Sequence, residues 1–64
     1  MSEALRILIV DDEAPARARL RDLLADCAAE MALEVVGEAG TARDAVDMLA
    51  ATPADVILLA IRMP

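Results

Sequence analysis

Three consecutive carboxylates, Asp11, Asp12 and Glu13, follow the apolar run "LRILIV" (5–10) without a spacer. Adjacent carboxylates facing one crevice repel. Two unit charges about 5 Å apart, at an effective dielectric of ~20, do so by roughly 3 kcal/mol. A cation compensates such a pair, and hard oxygen donors with room for water suit Mg²⁺. The same residues have a plainer use, because Asp12 or Glu13 can favour the start of a helix through capping and the helix dipole. The other segment placed to take part in chemistry is the final stretch "VILLAIRMP" (56–64), where a strand-like run stops at Ala60 and is followed by Ile61, Arg62, Met63 and Pro64. Alanine has no group that can attack, ligate or move a proton.

The remaining composition narrows the chemistry further. The chain has no histidine and no lysine, which removes the commonest general base and the Schiff-base nucleophile. Cys27 is the only cysteine, so no disulfide forms within one chain, and a lone thiol without a signal peptide suggests a reducing, cytoplasmic setting. With no histidine to activate it, Cys27 reads as a small core residue. The only glycines are Gly37 and Gly40, and "GEAGTA" matches neither a phosphate-binding loop nor a dinucleotide fingerprint. A net charge of −6 argues against nucleic-acid binding, which needs a basic surface. No apolar run reaches the length of a membrane span.

Positioning these residues is the task of a small scaffold. Sixty-four residues make one domain at most, 59% hydrophobic but without Phe, Tyr or Trp, so the core must be aliphatic. "LRILIV" is a β-branched run that suits a strand covered on both faces. From Ala14 to Met31 the pattern is helical, with Pro15 tolerated in the first turn and Leu20, Leu23, Leu24, Cys27 and Met31 forming one stripe. "LEVVGEA" (33–39) is a second strand, in which Gly37 implies an edge position or a close backbone approach. Thr41 is a good N-cap with Asp44 three residues on, and the following helix "ARDAVDMLAA" is expected to bury Ala42, Ala45, Val46 and Leu49. Thr52 and Pro53 break that helix, and "DVILLAI" (55–61) forms a third strand. The order β-α-β-α-β with short connections predicts a parallel, right-handed α/β sheet flanked by helices. Ligand sites in such sheets lie outside the carboxyl ends of the strands, where Asp11, Asp12 and the residues from Ala60 to Pro64 fall.

Taken together, "RILIVDDEAPARARLRDLL", "VVGEAGTARDAVDML" and "DVILLAIRMP" resemble the first half of a two-component response-regulator receiver domain. The similarity covers nearly all of the chain. Within that family, "DDEAPARARLRDLL" and "GEAGTARDAV" are most similar to receivers attached to LytTR-type DNA-binding domains. The resemblance implies a partial flavodoxin-like fold, β1-α1-β2-α2-β3 with sheet order 2-1-3, ending before strand 4. Residues 1–64 are then an incomplete receiver domain.

The resemblance also implies roles for particular residues. Asp11 and Asp12 match the acidic pair that holds Mg²⁺, and Arg62 matches the position whose backbone carbonyl adds a metal ligand. Met63 and Pro64 match the turn after the phosphorylated strand. Ala60 falls on the phospho-accepting aspartate, so an aspartyl-phosphate cannot form there and Mg²⁺ binding is weak or absent. The Ser/Thr and Lys that contact the phosphoryl group in the family have no counterparts here. The expectation is a signalling module that is not itself an enzyme. Its parent would receive phosphate from a histidine kinase and act on DNA through another domain. The alternative is an interaction half-domain, self-associating through residues 56–61, without signalling chemistry.

Overall fold

A computed structural model describes residues 4–60. The elements are β1 (Leu5–Val10), α1 (Ala14–Cys27), β2 (Leu33–Ala39), α2 (Ala42–Ala51) and β3 (Val56–Leu59). Both strand pairings are parallel, and the sheet order is β2-β1-β3. The chain steps from β1 to β2 on one side and then back across β1 to β3. Right-handed crossovers in opposite directions place α1 and α2 on opposite faces of the sheet. The element order and topology agree with the sequence reading.

The central strand carries the core. Ile7, Leu8, Ile9 and Val10 are all buried, with Ile9 and Val10 completely so. Alternation along β1 sends Leu8 and Val10 to the α2 face, where they cluster with Ala39 and Ala45, with Leu49 and Ala54 packed alongside. Ile7 and Ile9 face α1. At full burial each such aliphatic side chain contributes about 1.5–3 kcal/mol, so this strand supplies most of the burial a chain of this size achieves.

An irregularity in β2 sets the direction of its last residues. Ile7 pairs with Val35 and Leu8 with Gly37, so Val36 has no partner and forms a bulge. An extra residue reverses the alternation beyond it. Gly37 and Ala39 therefore share the α2 face with Leu8 and Val10, and Glu38 is turned to the α1 face beside Ile9. A Cβ on Gly37 would lie 3.3 Å from Leu8 Cδ1 and 3.4 Å from Met48 Sδ. The glycine is thus both on an edge strand and in a close approach, as its position in the sequence suggests.

The helices match the sequence expectations less closely. Thr41 Oγ1 accepts from the Asp44 N–H at 3.0 Å, which is the capping contact the Thr41/Asp44 spacing predicts. However, α1 ends at Cys27 instead of continuing to Met31. Its half-buried residues are Ala16, Arg17, Ala18, Leu20 and Leu24, whereas Leu23, Cys27 and Met31 are exposed. The expected stripe, with Cys27 in the core, is corrected. The helix rests on β1 and β2 along the four-residue line 16-20-24, and no element among the described residues lies against its other flank. On α2 only Ala45 is buried and Leu49 is half-buried, while Ala42 and Val46 are exposed. This helix packs over β2 and β1 and not over β3, so its flank toward β3 stays in water.

Candidate functional site

The carboxyl ends of β1 and β3 are joined through the backbone. The Ala60 N–H donates to the Val10 carbonyl at 2.9 Å, which extends the ladder one residue past β3. Ala60 therefore sits beside the end of β1, and Asp11 is the next residue after that carbonyl. Parallel strands lie about 4.8 Å apart, so a side chain on residue 60 is within short range of the acidic loop.

Asp11 is 6% exposed and is held at three points. Its N–H donates to the Ala39 carbonyl at 3.0 Å, which joins the loop to the end of β2. Its carbonyl accepts from Arg17 Nη1 at 2.7 Å. Its side-chain Oδ1 accepts from the Glu13 N–H at 2.9 Å. A buried backbone carbonyl beyond the end of a strand needs a partner, and the arginine supplies it. The capping role that the sequence left open to Asp12 or Glu13 is filled by no side chain; Asp11 instead closes a local turn onto the Glu13 N–H just before the helix. Glu13 is the N-cap residue of α1, makes no side-chain capping bond, and has its own N–H satisfied by the Asp11 carboxylate.

Asp12 and Glu13 are exposed next to this fixed residue. One carboxylate oxygen from each of Asp11, Asp12 and Glu13 lies within 4.8 Å of the others. The chemistry of this donor set fits a hard divalent cation, with one carboxylate pre-oriented by the fold and two open to water. Sequence reasoning identified Asp11 and Asp12 but gave Glu13 only a capping role. Arg62, the expected source of a backbone carbonyl ligand, lies outside the described residues, as do Ile61, Met63 and Pro64.

The site also has a basic buttress that the sequence reading missed. Arg17 Nε lies 3.4 Å from Glu38 Oε1, and Arg21 Nη1 lies 2.9 Å from Glu38 Oε2. The signal was present as arginines four residues apart on α1, but their partner becomes visible only once the β2 bulge turns Glu38 toward that helix.

The family model for the response regulator receiver domain matches residues 7–64. An uncharacterized response regulatory protein of Yersinia pestis is 42% identical over 60 residues, covering 94% of this chain and 24% of that protein. Two proteins named protein-glutamate methylesterase/protein-glutamine glutaminase are also similar. The one from Bdellovibrio bacteriovorus is 41% identical over all 64 residues, and the one from Pseudoalteromonas atlantica is 34% identical over 61. The match takes up 17% and 15% of those two proteins, so the chain spans a quarter or less of the length of these curated relatives. No solved structure matches the chain significantly. No helix among the described residues is long and apolar enough to cross a membrane. The β1-α1-β2-α2-β3 order, the 2-1-3 parallel sheet and the match over residues 7–64 agree, and the chain belongs to the response regulator receiver domain family of two-component signalling.

Proposed function

We propose that residues 1–64 are the N-terminal half of a receiver module in which the acidic loop holds Mg²⁺ only weakly, because Ala60 occupies the place of the phospho-acceptor. The observation that carries this reading is the hydrogen bond from the Ala60 N–H to the Val10 carbonyl, which sets residue 60 beside Asp11 at the sheet's carboxyl edge. Asp11 and Asp12, with Glu13 at hand, would supply the carboxylate ligands, and the Arg62 carbonyl another. When bound, Mg²⁺ would neutralise charge on a phosphoryl group. The methyl group of Ala60 offers no nucleophile, so transfer stops at this chain. The surrounding protein would be a cytoplasmic response regulator addressed by a histidine kinase. Its output would be transcriptional, of the LytTR type, on the resemblance of "DDEAPARARLRDLL" and "GEAGTARDAV". The names of two relatives point instead to a glutamate methylesterase output.

A Mg²⁺ titration followed through the amide signals of residues 11–13 tests the cation site. Saturable shifts that disappear in Asp11→Asn support it, and no shift at millimolar Mg²⁺ refutes it. One observation favours the second reading, a half-domain that acts by pairing. Ile57 and Leu59 are 44% and 68% exposed on a strand whose outer edge has no neighbour among the described residues.

A further inference from the structure

We propose that Arg17 is a positioning residue for the cation site, a clamp that fixes the Asp11 backbone and is itself held in place by Glu38. The proposal rests on the reading of Asp11 and Asp12 as cation ligands. One guanidinium reaches three segments: the Asp11 carbonyl at 2.7 Å, the Glu38 carboxylate at 3.4 Å, and the turn at Gly40, where a Cβ would lie 3.4 Å from Nη1. Planar, forked donors allow arginine to satisfy a carbonyl and a carboxylate together, which the compact ammonium of lysine does not reproduce. The bulge at Val36 has a direct part in this arrangement. Without it, Glu38 would face α2 and Arg17 would have no acid beside it. Only about a quarter of each side chain in this pair is exposed, and Arg21 reinforces the carboxylate from the helix's next turn.

Charge alone predicts the opposite effect on cation binding. A guanidinium near a divalent cation opposes its binding, so removing a bystander arginine would raise affinity. Glu38, which Arg21 also holds, offsets only part of that charge, so the sign of the change separates the two roles: removing a clamp lowers affinity and removing a bystander raises it. Partners of ligating residues commonly change metal affinity by about 10–100-fold when removed. Arg17→Ala is therefore expected to weaken Mg²⁺ binding about tenfold, with Arg17→Lys close to it and Glu38→Gln in between.

The test titrates Mg²⁺ into the chain and these three variants and measures metal-free amide exchange at Glu13, whose N–H is bonded to Asp11 Oδ1. The Asp44 amide, capped by Thr41, serves as the control for folding. Weaker binding with faster Glu13 exchange and unchanged Asp44 exchange supports the clamp. Equal or tighter binding in Arg17→Ala, or unchanged Glu13 exchange, overturns it. If the unaltered chain binds no Mg²⁺, the cation reading fails, while Glu13 exchange still decides the clamp by the same criterion.

Discussion

Replacing Leu59 with lysine tests what the open side of β3 does. Leu59 is 68% exposed and Ile57 is 44% exposed, both on the face that α2 leaves uncovered. Fully burying such a side chain is worth about 2 kcal/mol, so covering what remains open on these two returns roughly 2 kcal/mol per chain. Two copies paired edge to edge would gain at most roughly 4–5 kcal/mol from that term, since pairing along the edge covers the face only in part. About four backbone hydrogen bonds, at about 1 kcal/mol each, would bring the sum to roughly 8 kcal/mol. Association costs about 4–15 kcal/mol in lost freedom, so even at the lowest cost the balance is about −4 kcal/mol, a weak dimer with a Kd of roughly 1 mM or above. Sedimentation and amide shifts across that concentration range should show self-association centred on residues 56–61. Leu59→Lys removes apolar area from both partners and sets like charges against each other at the edge, so it should abolish the concentration dependence. A chain that stays monomeric at several times that Kd, about 5 mM, with a cooperative unfolding transition and fixed amide shifts at 57–59, would refute the reasoning.

Two further substitutions examine how the scaffold is held. Gly37→Ala should cost up to about 1 kcal/mol, because Met48 can swing away but the new Cβ lies 3.3 Å from buried Leu8 Cδ1, whereas Gly37→Val should cost about 1–3 kcal/mol, as denaturant unfolding would show. At the opposite end of the sheet, the Arg6 N–H donates to Asp55 Oδ2 at 2.9 Å and the Asp55 N–H donates to the Arg6 carbonyl at 2.8 Å. Asp55→Ala should therefore lose about 1 kcal/mol and Asp55→Asn much less; equal losses would show that this bond does not hold the end of β3.

The strands, their parallel order and the Thr41 cap could be read from the sequence because each depends on local residue types or on short connections. Gly37 was also legible as an edge or close-approach glycine. What the sequence could not give was the depth of burial. Periodicity shows which side chains share a helix face, but not whether anything lies opposite. Leu23, Cys27, Met31 and Val46 therefore carry an apolar pattern yet remain in water. The Arg17–Glu38 contact was hidden for a different reason. It depends on one unpaired residue in β2, and strict alternation from Leu33 would have turned Glu38 away from α1. Asp11 and Asp12 were legible as neighbouring carboxylates after a strand, but the fixing of Asp11 through its N–H, carbonyl and Oδ1 required the fold.

The most direct test of the central claim, that Ala60 stands where this fold places its acceptor carboxylate, compares Mg²⁺ binding by the chain and by Ala60→Asp. A carboxylate at residue 60, beside the Val10 carbonyl, would join Asp11 and Asp12 around one cation. At about 5 Å it would also destabilise the metal-free chain by up to roughly 3 kcal/mol, reduced by the exposure of residue 60. The account predicts that Ala60→Asp binds Mg²⁺ at least about tenfold more tightly, and that it is less stable without metal and regains stability with it. Equal affinities for the two chains would contradict the placement of residue 60 in the cation site.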